Sequence, residues 1–192
     1  MHKQSYYIIN GITIYRIIAA PVLLYLIIMK EVDLFKWLLA ISFFSDAIDG
    51  YLARKYKVTS ILGSQLDSIG DDLTVAVAFA GLLLLKTPFV KDEIIYFIAI
   101  FILYLLQNGF AFVKYHKATS FHTYIAKMAA VMQGLFLIFI FLLKEPFMPL
   151  FYFAVTLTAI DLLEELMMVI LLPKWESDIK GLYWVLKNKK EK

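Results

Sequence analysis

The chain has 192 residues, of which 61% are hydrophobic and only 18% are charged, and its formal net charge is +3. A soluble domain has about 45–50% apolar and about 25% charged residues, so this composition predicts an integral membrane protein. The chain has no cysteine, which excludes a disulfide framework and a thiolate metal site. The length predicts one domain over residues 1–192, and we expect no nucleic-acid partner.

Six long apolar segments predict an all-α membrane protein with six transmembrane helices. Residues 1–15 mix aromatic, aliphatic and polar side chains, which predicts a short interfacial helix before the first span. The first span ends near Met29 and has no small-residue cleavage pattern, so we expect no removable signal peptide. The other spans are predicted at about residues 34–50, 61–85, 93–113, 124–143 and 147–172.

The tail at residues 173–192 spaces apolar side chains at helical intervals and ends in several lysines: Lys187, Lys189, Lys190 and Lys192. This pattern predicts a basic amphipathic helix lying on an anionic membrane surface. With six spans, both termini lie on one side of the membrane, and most of the 19 Lys and Arg residues lie on that side too. By the positive-inside rule this side is cytoplasmic.

The stretch from Asp46 to Asp72 places carboxylates and an arginine between apolar segments. Charge within a membrane segment is costly and by default marks a functional site. Helical spacing puts carboxylates and small residues together on one face of each of two successive helices. These residues are Asp46, Asp49, Gly50 and Ala53 on the first helix, and Gly63, Asp67, Gly70 and Asp71 on the second.

Four facing carboxylates would repel one another in a low dielectric, so we expect bound cations. Oxygen ligands suit magnesium, manganese or calcium rather than zinc. The small residues leave room for a phosphate group, and Arg54 can bind phosphate oxygens in bidentate fashion. The pattern therefore favours two-metal phosphoryl transfer on the cytoplasmic side. The alternative that spacing leaves open is the ion pathway of a small transporter.

The chain follows the pattern Asp-x2-Asp-Gly-x2-Ala-Arg-x8-Gly-x3-Asp-x3-Asp from Asp46 to Asp71, with all of its fixed positions present. This pattern resembles the signature of the CDP-alcohol phosphatidyltransferase family. The six-span outline and the Asn10-x2-Thr13-x2-Arg16 sequence also resemble bacterial members. The resemblance implies transfer of a phosphatidyl group from CDP-diacylglycerol to an alcohol, with release of CMP, in phospholipid biosynthesis. It also implies a homodimer in the inner (cytoplasmic) membrane of a bacterium.

The resemblance implies a role for each motif residue. Two divalent cations, Mg²⁺ or Mn²⁺, would be bound by Asp46, Asp49, Asp67 and Asp71. The CDP moiety would be held by Asp49, Gly50, Ala53, Arg54, Gly63 and Asp67. Asp71 would also act as the general base for the incoming hydroxyl, because a metal-polarised alcohol needs only a weak base.

The acceptor is the part of the reaction that the motif does not define. We expect glycerol 3-phosphate, whose phosphate needs a basic site, and the cytoplasmic candidates include Arg16, Lys114 and Lys127. The chain departs from the pattern of phosphatidylglycerophosphate synthases at several positions: Asp72, Gln107, Asn108 and Ala130. The same chemistry with inositol phosphate, serine, an amino alcohol or phosphatidylglycerol therefore stays open.

Three carboxylates of the sixth predicted span, Asp161, Glu164 and Glu165, have no assigned role. They could pair with Lys127 or Arg16, bind an amino-containing acceptor or line a dimer interface. A different class of function also stays open, namely an ion-coupled transporter or a non-catalytic member of the family.

Overall fold

The computed structural model describes the backbone of residues 2–56, 61–117, 119 and 121–190. Within these ranges, it does not describe the side chains of residues 2–10, 47, 49–51, 53–54, 56, 61–65, 67–68 and 188–190. The described residues form helices and no strand: α1 (His2–Met29), α2 (Val32–Tyr56), α3 (Ile61–Leu85), α4 (Thr87–Asp92), α5 (Ile94–Tyr115), α6 (Tyr124–Leu142), α7 (Met148–Leu171) and α8 (Leu182–Lys190).

The all-α class is confirmed. Counting only described residues, three helices are both long and apolar enough to cross a membrane, namely Gly11–Met29 within α1, α5 and α6. They indicate an integral membrane protein. The helices α2, α3 and α7 are 24 or 25 residues long, but they are not among these three. The prediction of six spans is therefore not confirmed by this count.

Two predicted helix boundaries at the ends of the chain are wrong. There is no separate interfacial helix, because α1 runs without a break from His2 to Met29 with Pro21 inside it. The mixed polarity of residues 2–15 does not interrupt the helix, and Thr13 is buried. The amphipathic tail helix begins only at Leu182, since residues 172–181 are not helical.

The end of α2 also differs from the prediction. The predicted span ends near residue 50, yet α2 continues through Arg54 to Tyr56. Leucine, alanine and arginine are strong helix formers, and no glycine or proline interrupts residues 51–56. Residues 57–60 lie outside the described residues, as do Lys192 and the side chains of Lys189 and Lys190.

The helices group into two compact units, each with its own packing. The first unit comprises Met1–Val90 and Leu137–Pro146. In it, α1 packs along both α2 and α3. The Phe35 ring lies edge-on to Phe141, with 4.9 Å between ring centroids. Gly81 makes room for this ring, since a Cβ there would lie 2.6 Å from Phe35 Cζ. These contacts pack α2 and α3 against the end of α6 within this unit.

The second unit comprises Lys91–Phe136 and Phe147–Lys192. In it, α5 packs against α7, and α8 packs against α7. Its buried cluster joins the loop before α6 to the tail: Ala111, Phe121, Met168, Val169, Leu172 and Val185. Leu172 directly follows α7, and the Tyr115 hydroxyl donates to its carbonyl at 2.8 Å. The non-helical tail segment is therefore held by specific contacts.

Candidate active site on helices α1, α2 and α3

The motif residues lie on two long helices of the first unit. The first half, from Asp46 to Arg54, belongs to α2, and the second half, from Gly63 to Asp71, belongs to α3. The helical backbone preserves the predicted spacing in both halves. The side chains of the following motif residues lie outside the described part of the structure: Asp49, Gly50, Ala53, Arg54, Gly63 and Asp67. Their predicted roles stay predictions.

The two described motif carboxylates, Asp46 and Asp71, meet at one nitrogen of Arg16. The Arg16 Nη1 atom donates to Asp46 Oδ1 at 2.6 Å, and the same atom contacts Asp71 Oδ1. The Arg16 side chain is 0% exposed, whereas the Asp46 and Asp71 side chains are 44% and 43% exposed. A buried cation of α1 thus joins half-exposed carboxylates of α2 and α3.

The backbone of α3 leaves space for the guanidinium. Gly70 is buried, and a Cβ placed on it would lie 3.6 Å from the Cβ, Cζ and Nε atoms of Arg16. One turn later, the Thr74 hydroxyl donates to the Gly70 carbonyl at 2.8 Å. Thr13, one turn before Arg16, is also buried. Thr13, Arg16 and Thr74 are thus buried polar side chains of α1 and α3 close to the motif along the chain.

The donor chemistry of this site fits a hard divalent cation. The described ligand candidates Asp46 and Asp71 offer carboxylate oxygens, which suit Mg²⁺ or Mn²⁺. They converge from two helices on a single positive charge, the Arg16 guanidinium. Among the described side chains, no three His, Cys, Asp or Glu residues form a metal-binding group. The other two predicted ligands, Asp49 and Asp67, are not among the described side chains.

The three predicted acceptor-binding residues belong to two different units. Arg16 contacts the motif carboxylates of the first unit, whereas Lys114 and Lys127 belong to the second. The Lys114 ammonium donates to the carbonyls of Val169 and Ile170 at 2.8 and 3.0 Å. The position of these carbonyls at the C-terminal end of α7 favours a nearby cation. Lys127 is exposed, with its ammonium 5.8 Å from the Tyr124 ring centroid.

The carboxylates of α7 contact neutral donors. Glu165 Oε2 accepts from Gln107 Nε2 at 2.8 Å and from Thr119 Oγ1 at 2.9 Å. Glu164 Oε1 accepts from the backbone N–H of Leu182, the first residue of α8, at 2.9 Å. These bonds connect α7 to α5, to the loop before α6 and to the tail. The sequence left the partners of the α7 carboxylates open, and these bonds identify partners of Glu164 and Glu165.

Sequence reasoning missed the contact between Arg16 and the motif. A signal for it was present, because Thr13 and Arg16 are spaced i, i+3 and so share one face of α1. Nothing in the sequence showed that this face meets α2 and α3 at the level of Asp46 and Asp71. The partners of Glu165 were also missed, since Gln107 and Thr119 are far from it along the chain.

Comparison with known proteins gives matches of different extent. The model of the family described as CDP-alcohol phosphatidyltransferase matches residues 6–171. A human protein named cardiolipin synthase (CMP-forming) is 31% identical over 83 residues, which cover 43% of this chain and 28% of that protein. The chain therefore spans less than a third of the length of this relative. No solved structure matches the chain.

Proposed function

Because the chain belongs to the CDP-alcohol phosphatidyltransferase family, we propose that it transfers a phosphatidyl group from CDP-diacylglycerol to an alcohol and releases CMP. One observation carries the proposal: Asp46 of α2 and Asp71 of α3 converge on the same nitrogen of Arg16. Two motif carboxylates from different helices are thereby close enough to act on one substrate. The name of the human relative describes a CMP-forming synthase, which supports the same leaving group.

In this proposal, two divalent cations are held by Asp46, Asp49, Asp67 and Asp71. When bound, such cations polarise phosphate oxygens and offset the charge that develops during transfer. The CDP moiety lies against Asp49, Gly50, Ala53, Arg54, Gly63 and Asp67. The Arg54 guanidinium supplies paired donors for phosphate oxygens, and the small residues leave room for the pyrophosphate.

Asp71 is the proposed catalytic base. Its half-exposed carboxylate takes the proton of the acceptor hydroxyl while the hydroxyl oxygen attacks the phosphorus atom next to diacylglycerol. The new phosphorus–oxygen bond forms as the bond from that phosphorus to the CMP oxygen breaks. CMP then leaves with the electron pair of the broken bond, and the phosphatidyl group stays on the acceptor.

We further propose six transmembrane helices, made of α1, α2, α3, α5, α6 and α7, in the inner membrane of a bacterium. Both termini and the motif lie on the cytoplasmic side in this arrangement, because most Lys and Arg residues belong to the same side. A homodimer is the proposed assembly. Labelling of single introduced cysteines with a membrane-impermeant reagent tests this topology directly, since the natural chain has no cysteine.

Glycerol 3-phosphate is the first proposed acceptor. Its phosphate needs a basic site, and Lys127 is the candidate whose exposed ammonium is best able to receive an anion. We expect Lys127→Gln to raise the KM for glycerol 3-phosphate about tenfold, since hydrogen bonds to charged groups contribute about 1.5–3 kcal/mol. Lys114→Gln is the matched control, because the Lys114 ammonium already binds two backbone carbonyls. An equal rise in both variants would contradict the assignment to Lys127.

Phosphatidylglycerol is a second candidate acceptor. The observation that favours it is the name of the human relative, because cardiolipin consists of two phosphatidyl groups joined through glycerol. Making it by the proposed reaction needs phosphatidylglycerol as the alcohol. A lipid acceptor of this kind would reach the site from the bilayer rather than from water.

The proposed function is tested by CMP release from CDP-diacylglycerol by purified protein. The assay compares glycerol 3-phosphate, phosphatidylglycerol, inositol phosphate, serine and an amino alcohol, each with Mg²⁺ or Mn²⁺ and with a chelator. We expect CMP only when metal and one acceptor are both present. A folded protein that releases no CMP with any acceptor would contradict the proposal and leave the transporter or a non-catalytic family member as the better explanation.

A further inference from the structure

Arg16 is a buried charge that contacts two carboxylates. Its side chain is fully buried, although a buried guanidinium is stable only when its charge is paired and its donors are used. The structure provides this pairing through Asp46 and Asp71, which come from two different helices. The arginine cannot lose its charge, because a guanidinium stays protonated in proteins. A permanent positive charge is therefore built into the centre of α1, α2 and α3.

The position of the Arg16 charge matters because Asp46 and Asp71 are also expected to bind divalent cations. Both belong to the four carboxylates assigned above to divalent cations. The Arg16 Nη1 atom contacts Oδ1 of each, so it already occupies carboxylate oxygens that the proposed function assigns to cations. Like charges at such distances repel strongly in a low dielectric.

We propose that Arg16 is a positioning residue that acts as the internal counter-cation of the site and competes with divalent cations for Asp46 and Asp71. This inference rests on the proposed function, which assigns those two aspartates to metal. Arg16 holds α2 and α3 in register by neutralising two carboxylates that would otherwise repel each other. The same contact lowers the affinity of the site for metal.

Metal affinity distinguishes this role from a purely structural one. If Arg16 only supported the fold, removing its charge would loosen the site and weaken metal binding. If it competes with metal, removing its charge strengthens metal binding in a protein that is less stable without metal. The two roles predict opposite changes in the apparent Kd.

The experiment compares wild type with Arg16→Gln and Arg16→Lys in detergent, using electron paramagnetic resonance to measure free Mn²⁺. A neighbouring charge changes the proton affinity of a carboxylate by about 10- to 1000-fold, so we expect Arg16→Gln to bind Mn²⁺ at least about tenfold more tightly. Arg16→Lys keeps the charge and should stay within about threefold of wild type. Thermal unfolding with chelator and with Mn²⁺ gives a second reading, in which Mn²⁺ raises the Tm of Arg16→Gln more than that of wild type.

Lys36→Gln is the matched control. It removes one positive charge from an ion pair with Asp33 in the first turns of the same helix, α2. Asp33 is exposed, Lys36 is partly buried, and the pair lies several helical turns along α2 from Asp46, so distance and screening should keep the Mn²⁺ affinity within about twofold of wild type. If Lys36→Gln gained as much Mn²⁺ affinity as Arg16→Gln, net charge alone would explain the effect. That result would overturn the inference.

The outcomes separate the inference from the proposed function. If wild type binds Mn²⁺ and a folded Arg16→Gln protein binds it equally or more weakly, the inference is overturned and the proposed function stands. Absence of Mn²⁺ binding in wild type and in Arg16→Gln contradicts the metal dependence of the function and the inference with it. If Arg16→Gln does not fold with chelator, recovery of folded protein in Mn²⁺ supports competition, and failure to fold in both conditions overturns it.

Discussion

Acidic residues lie within long helices of both units, but their partners differ. In the first unit, Asp46 and Asp71 are half-exposed and share a buried arginine. In the second unit, Glu165 accepts hydrogen bonds from a buried amide and a hydroxyl, and Glu164 accepts one from a backbone N–H. The first arrangement pairs charge with charge and leaves oxygen atoms accessible. The second arrangement uses the carboxylates to connect segments that are distant in sequence.

This difference separates two uses of an acidic residue in a hydrophobic chain. A carboxylate that contacts a cation and is still half-exposed can exchange that partner for a metal or a substrate. A carboxylate whose oxygens accept from neutral donors of neighbouring segments fixes those segments, and its removal leaves their donors unpaired. We therefore expect the first group to control activity and the second to control stability.

The largest expected effect is that of Asp71→Asn on activity. General base catalysis contributes about 10²–10⁴-fold, so CMP release should fall at least about 100-fold. The amide keeps the size of the side chain, and we expect the protein to remain folded. The measurement is the initial rate of CMP release with saturating metal and acceptor, normalised to folded protein by size-exclusion chromatography.

Asp33→Asn is the matched control for this prediction. Asp33 lies in the first turn of α2 and pairs with Lys36 at an exposed position. Exposed ion pairs contribute about 0–1 kcal/mol, so both activity and Tm should stay close to wild type. Full activity in Asp71→Asn would show that the base is another residue and that exposure of the carboxylate does not mark the catalytic group.

The next effect is expected from Glu165→Ala on stability. Gln107 is buried and donates to Glu165, so the substitution leaves part of its amide without an acceptor and costs about 1–3 kcal/mol. Glu165→Gln retains an acceptor oxygen and should lose less. Thermal unfolding measures both variants, and CMP release per folded molecule should stay within about twofold of wild type, because Glu165 is not assigned to the reaction.

The opposite result would remove the distinction between the two groups of carboxylates. A Glu165→Ala protein with normal Tm and at least about tenfold lower CMP release would place Glu165 in the acceptor site. Such a result with serine or an amino alcohol as the substrate would favour a cationic acceptor over glycerol 3-phosphate.

The sequence predicted the helical segments and the motif better than the contacts between them. Apolar runs and the turns around them located α5, α6 and α7 to within a few residues. The length of an apolar run and the position of a proline can both be read from the local sequence. The spacing of Asp46 and Asp71 predicted the helix faces that carry them. The contact of both with Arg16 depends on how α1 packs against α2 and α3, and local sequence carries little information on such packing.

The tail at residues 173–192 is a second case in which packing contacts, and not the local sequence, determine the structure. Helical spacing from Trp175 to Leu186 predicted a helix, but residues 172–181, which include Pro173, are not helical. The N–H of Tyr124 donates to the carbonyl of Lys180 at 3.2 Å, and Glu164 binds the N–H of Leu182. Tertiary hydrogen bonds therefore override a local pattern that favours helix.

The smallest expected effect is that of Gly181→Ala at this tail. Gly181 has φ +151°, a conformation that side chains disfavour, and a Cβ there would lie 3.0 Å from Glu164 Oε1. We expect a loss of about 1 kcal/mol or more, confined to the attachment of α8 and seen as faster proteolysis near Leu182. Gly109→Ala within α5 is the control, because nothing lies within 4 Å of its added Cβ. Equal proteolysis of the two variants would show that Glu164 does not hold the tail, and the role of the α7 carboxylates in joining segments would then rest on Glu165 alone.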